Sequence, residues 1–149
     1  MMFLIAALVF GLDRLTKLFI AGRMELYESI PVIEGVFHIT YVRNPGAAFG
    51  LFAHKTPLFI GITVLVVAAL TFYSKQLAGG SRRLILALGL LLGGAAGNLY
   101  DRIVTGTVVD FLDFRIWPVF NLADSALVIG VMLFAYSLFY LDKSDGESV

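Results

Sequence analysis

Two aspartates, Asp110 and Asp124, stand fourteen positions apart in VVDFLDFRIWPVFNLADSALVIG, and the second lies at the start of the apolar run Leu122–Leu141. An ionisable group in a membrane segment costs roughly 2.5–3.5 kcal/mol or more, so its default reading is functional. Two carboxylates that meet can share one proton. Like charges about 3 Å apart cannot both ionise, so one serves as base and the other as acid. On a peptide bond, the base would deprotonate a water that attacks the carbonyl. The acid would protonate the carbonyl oxygen and then the leaving amine. The bland alternative is a pair of solvated interfacial acids, and Asp113 and Asp101 are assigned to that class.

Other polar residues group around this pair. Asn98 and Arg102 are spaced i, i+4 and share a helix face. They read either as a hydrogen-bonding edge for substrate backbone or as a brace for the carboxylates; an interfacial arginine snorkelling to head groups is the alternative. Asp13 and Lys17 have the same spacing, and a structural role near the site is preferred over a surface ion pair. Asn121 suits a helix N-cap, with Asp124 three residues later in the first turn, where the macrodipole favours an anion. Asn44 lies in RNPGAAFG, where Asn44-Pro45-Gly46 signals a turn, and could reach the backbone of a bound peptide. His38 and His54 lack HExxH spacing or a carboxylate cluster and read as non-catalytic; no metal or cofactor is implied. Ser125 with Lys17 as base is a conceivable nucleophile pair, but two acids need no serine.

The elements that must position these residues follow from hydropathy. Of the 149 residues 59% are hydrophobic, and the mean hydropathy is +0.89, whereas soluble domains are about 45–50% apolar. Zero net charge removes the basic footprint of a nucleic-acid binder. The absence of cysteine removes disulfides and thiol chemistry. Apolar runs predict four membrane helices, roughly 1–21, 57–73, 84–102 and 121–141, in one domain. The N-terminus lacks a basic n-region and reads as a retained first helix. Four crossings place Asp13, Lys17, Asn98, Arg102, Asn121 and Asp124 at one membrane face. The long connections 22–56 and 103–120 lie there too, leaving the loop 74–83 and the tail 142–149 opposite.

Glu34-Gly35 marks a hairpin turn before the β-rich stretch VFHITYVRN, and TVVDFLDF alternates weakly, so a small sheet should cap the bundle. Asp110 would then hang from a strand while Asp124 sits on a helix. Gly89, Gly93, Gly94 and Gly97 lie inside an apolar helix and read as close-packing sites. The positive-inside rule is divided on orientation. Density puts Lys75, Arg82 and Arg83 in the cytoplasm, while Arg14, Lys17, Arg23, Arg43, Lys55, Arg102 and Arg115 lie on the site side.

DRLTK (13–17), RNPGAAFG (43–50), GGAAGNLYDR (93–102), GTVVDFLDF (106–114) and FNLADSAL (120–127) together resemble the lipoprotein signal peptidases, bacterial signal peptidase II. The resemblance spans essentially the whole chain in order. It implies an aspartic endopeptidase of the bacterial inner membrane that cleaves just before the diacylglyceryl-modified cysteine of a prolipoprotein. Asp110 and Asp124 match the catalytic pair. Asn44, Asn98, Arg102 and Asn121 match the polar site residues, and Asp13 and Lys17 match the first block. Both termini would be cytoplasmic and the site periplasmic. Membrane lipid and globomycin-type inhibitors are implied partners, with no obligate protein partner. The alternative from the residues alone is a small membrane transporter component with a carboxylate proton relay.

Overall fold

The computed structural model describes residues 1–46, 55–78 and 81–146. It is mainly helical: α1 (Met2–Arg23), β1 (Ser29–Ile33), β2 (Phe37–Asn44), α2 (Thr56–Ala78), α3 (Arg82–Thr105), β3 (Val108–Asp113) and α4 (Leu122–Gly146). The helices run past the apolar stretches that predict them. Lys75-Gln76, Arg82-Arg83 and Asp142–Gly146 are polar but helix-compatible, so most of the expected short loop and part of the expected tail are helical. The bounds of α3 are set by caps. The Ser81 hydroxyl accepts from the Leu84 amide, and Gly106 takes the left-handed conformation (φ 76°) that closes the helix.

The third helix is the hub, packing against α1, α2 and α4. Its glycines are contact points. A Cβ on Gly93 would lie 2.7 Å from the Ala6 carbonyl oxygen of α1, and one on Gly94 would lie 2.5 Å from the Ala123 carbonyl oxygen of α4. The expected close-packing role is met, inside the chain itself. On α1 the buried face includes Met2, Asp13, Lys17 and Ile20, while Leu4, Leu8, Leu12, Leu15, Leu18 and Phe19 point outward. This inverts the soluble pattern, since charges are inside and leucines outside. Among the described residues, α3 is the one helix long and apolar enough to cross a bilayer by length and composition; 56–72 and 122–137 are shorter apolar helices.

The cap is a three-stranded antiparallel sheet in the order β1-β2-β3. The hairpin turns at Gly35 (φ 71°), where left-handed backbone suits glycine. Pairing of β2 with β3 sets Val42 opposite Asp110 and Asn44 opposite Val108. Val109 and Phe111 pack with Ile20 of α1 and Tyr41 of β2, which fastens the sheet to the bundle. That leaves Asp110 on the other face, as the alternation requires.

The expectation that Asp113 is solvated is corrected. It is buried, accepts from the Thr40 hydroxyl at 2.7 Å, and holds the backbone N–H and guanidinium of Arg115. These bonds pin a turn with Arg115 at φ 65°, after which Phe120 returns to bridge Leu112. Asp113 therefore has a structural task.

Candidate active site

Both aspartates are presented by local chemistry. Asp124 sits in the first turn of α4, where its Oδ2 accepts from the Asn121 backbone N–H at 3.2 Å. The Asn121 Oδ1 accepts from the Asp124 backbone N–H at 2.9 Å. This reciprocal capping box satisfies two donors and fixes the carboxylate beside the helix start. A further donor of that turn, the Ala123 N–H, is met at 3.0 Å by Asp13 reaching across from α1. Asp110 is held from the sheet. Asn44, diagonal to it on the same face, donates to its Oδ2 at 3.0 Å, while Asn44 Oδ1 accepts from Gly46 N–H and makes the expected turn. The rest of RNPGAAFG, residues 47–50, and His54 lie outside the described residues.

One side chain joins the two carboxylates. Asn121, fully buried, donates through Nδ2 to Asp110 Oδ1 at 2.6 Å and to Asn98 Oδ1 at 3.1 Å. Asn98 in turn donates to Asp124 Oδ1 at 2.7 Å. All four carboxylate oxygens of the pair thus accept from an N–H that cannot accept in return. Both aspartates line one cavity of about 460 Å³ with Asn44, Asn98 and Arg102, walled by Ile62, Val66, Ala95, Val108, Val119, Phe120 and Leu127. Burial, and then the nearby charge of Asp124, push the Asp110 carboxyl up to about 7. The site can therefore hold one proton on a carboxyl beside a carboxylate near neutral pH.

Asn98 makes the contact that a brace for the carboxylates requires. Arg102 makes no hydrogen bond to either aspartate among the described residues. It donates to the Gly46 carbonyl at 3.3 Å, stacks over Phe59 and leaves its face on the cavity. Asn44 is engaged at both ends of its amide and also lines the cavity. The Ser125 hydroxyl donates to the Asn121 carbonyl, and Lys17 is surrounded by acceptors, so neither is arranged as a nucleophile and its base. His38 lies on the sheet against the Ser29 hydroxyl at 3.1 Å.

The expectation that Asp101 is solvated is the second correction. It is 2% exposed, pairs with Arg14 and with Lys17 (2.9 Å), and accepts from the Val109 N–H at 3.4 Å. Lys17 also meets Asp13 at 2.7 Å and Asn98 Oδ1 at 3.0 Å. Asp13 Oδ2 has no well-aligned hydrogen bond, yet the ammonium lies close enough to neutralise it. Arg14 and Asp101 were not among the expected site residues. The signal was present: the rule that singles out Asp124, an acid in an apolar helix, applies equally to Asp101 in α3.

Known proteins resemble this chain in sequence and in fold. Residues 5–140 match the family model described as signal peptidase (SPase) II. The lipoprotein signal peptidase of Moorella thermoacetica is 53% identical over 91% of this chain and 90% of its own length. That of Halothermothrix orenii is 50% identical over 96% and 98%. Two solved structures, each described as a bacterial membrane enzyme, superpose with TM-scores of 0.92 and 0.84. The first is 39% identical, covering 99% of this chain and 92% of that one; the second is 40% identical, covering 92% and 91%.

Proposed function

The chain belongs to the signal peptidase II family, and on that premise we propose that Asp110 and Asp124 are the dyad that cuts a prolipoprotein just before its diacylglyceryl-modified cysteine. It is an aspartic endopeptidase that removes signal peptides from prolipoproteins, and it is a membrane enzyme. The observation that carries the dyad is Asn121, whose side-chain NH₂ donates to Asp110 and whose backbone N–H donates to Asp124, so that carboxylates from a strand and a helix face one cavity.

In the proposed reaction the ionised member of the pair takes a proton from a water in the cavity. The hydroxide attacks the scissile carbonyl, and the protonated member donates to the carbonyl oxygen as the tetrahedral intermediate forms. Collapse breaks the C–N bond, and the amine leaves with a proton from the dyad. No covalent enzyme intermediate forms. Arg102, whose guanidinium faces the cavity, and the apolar walls from α2, α3 and α4 hold the peptide on either side of the bond. The bilayer delivers the lipid anchor at the depth of the site, so search is confined to a plane and orientation is partly arranged beforehand. Four crossings are supported by the outward leucines of α1 and the exposed apolar faces of α2 and α4. With both termini in the cytoplasm, the sheet and the site face the periplasm, and a globomycin-type inhibitor would occupy the same cavity.

The test is cleavage of a diacylglyceryl-modified prolipoprotein by the purified protein, with and without chelator. Cleavage should survive chelation and fall at least ~10³-fold in both Asp110→Asn and Asp124→Asn, in line with loss of a unit whose members act together. Full activity in either variant would sink the dyad.

A further inference from the structure

The buried charge cluster next to the dyad has a direction built into it. Lys17 is 1% exposed, and its ammonium touches Asp13, Asp101 and Asn98. An ammonium carries donors only. Asn98 must therefore turn its carbonyl oxygen toward Lys17, which sends its NH₂ to Asp124. The same oxygen accepts from Asn121, so Asn121 must direct its NH₂ inward, and its remaining N–H goes to Asp110. A single cation thereby determines that the Asn98 and Asn121 amides both donate toward the carboxylates. Asp101 holds that cation in place, and its Oδ2 also accepts from Val109, the residue before Asp110. The cluster thus ties α1, α3 and β3 together at the point where β3 delivers its aspartate.

We propose that Lys17 and Asp101 are positioning residues that impose the donor polarity of the Asn98–Asn121 relay on the two carboxylates. The proposal rests on Asp110 and Asp124 being the working pair, and it assigns Lys17 and Asp101 no contact with substrate. Without the cation, Asn98 is free to rotate and present an acceptor to Asp124. The pair would then lose a donor that favours its ionised form and would misplace the carboxylate. The charged groups facing the pair are Lys17 from α1, Arg102 from α3, and the two aspartates themselves from β3 and α4. Asp13 and Arg14 of α1 and Asp101 of α3 are engaged within the cluster.

The experiment measures kcat and KM from pH 5 to 9 on the full chain in detergent, with a thermal melt of each variant. Lys17→Met should lower kcat about 10²-fold, the scale of a 1 Å misplacement at a reacting centre. KM should stay near the wild-type value. The rising limb of the kcat profile should move up by about one pH unit, because the pair loses a hydrogen bond to its ionised form. Lys17→Gln keeps an N–H for the Asn98 oxygen and should recover roughly tenfold over Lys17→Met. Removing one partner of a buried ion pair is destabilising, so a variant that leaves Lys17 in place is included. Asn98→Asp keeps an acceptor for both Lys17 and Asn121, has no N–H for Asp124 and adds a like charge beside it, so it should show at least the same loss and a shift in the same direction. Asp101→Asn should lower kcat less than Lys17→Met, because Asp13 still holds the ammonium. A folded Lys17→Met or Asn98→Asp protein with the wild-type kcat and limb overturns the proposal. So does an equal loss in Lys17→Met and Lys17→Gln with an unmoved limb, which is the behaviour of a purely structural cation. Full activity in Asp124→Asn instead removes the dyad reading, whatever the order of the other variants.

Discussion

At the scale of single residues, the site is built for acceptors. Asn44, Asn98 and Asn121 are each committed at both ends of the amide, and each places an N–H on a carboxylate. An Asp→Asn change at either position sets an NH₂ against one of these donors, so it removes the charge and also breaks a bond. The titration of Asp110 has a consequence for stability. Burial and then the Asp124 charge raise its proton affinity in the folded chain from 3.8 to about 7. Between those values the folded state binds the proton more tightly than the unfolded state, so stability falls as pH rises and levels off above about 7. The melting temperature should therefore decline across this window, with a shallower slope in Asp110→Asn; a rise across it would contradict the assignment. Asp113 acts in the opposite sense at lower pH. Burial pushes it up, but the bonds from Thr40 and Arg115 outweigh that and hold it below 3.8. Its contribution is lost as pH falls through the acid range.

At the scale of elements, the start of α4 and the strand β3 had to be brought to one place. The capping box was legible in the sequence, because Asn121 and Asp124 have N-cap and N3 spacing. That Asp13 would cap the Ala123 amide from α1 was not, since residues so far apart in the chain carry no local signal of their contact. The hairpin turn at Gly35 and the strand character of 107–114 were legible for the same local reason: turn chemistry and alternation act over a few residues. Gly94 tests the packing. A Cβ there has no room against the Ala123 carbonyl, so Gly94→Ala must push the first turn of α4 away. Overpacking of this kind costs about 1–3 kcal/mol. Because the displaced turn carries Asp124, kcat should fall by more than the loss of stability explains. Retained kcat in a folded Gly94→Ala protein would show that α4 accommodates the methyl without moving its carboxylate.

At the scale of the whole molecule, α1 turns Asp13 and Lys17 inward and its leucines outward, which is the arrangement expected where lipid is the solvent. The sheet and the dyad lie at the same end of the bundle, and Ser81 at the start of α3 lies at the other. The chain has no cysteine, so single-cysteine variants report position without background. Glu34→Cys, in the exposed hairpin turn, should react with a membrane-impermeant thiol reagent added outside the inner membrane. Ser81→Cys should react only after the membrane is opened. The reverse pattern would invert the proposed orientation while leaving the chemistry untouched.

Hydropathy, helix spacing and turn residues are properties of neighbours in the chain. They determined the helical runs, the capping sheet and the end of the bundle where polar residues gather, and they singled out the carboxylate pair proposed as the dyad. Burial is a property of the assembled molecule. Only the packing of α1 and β3 onto α3 decided that Asp101 is enclosed and bonded rather than solvated, and only the pairing of β2 with β3 brought Thr40 to Asp113. The same packing decided that Lys17 lies against the Asn98 amide. The physical reason is that a charge on a helix meets either water or another helix according to which face the neighbouring helices cover. No residue within reach along the chain records that choice.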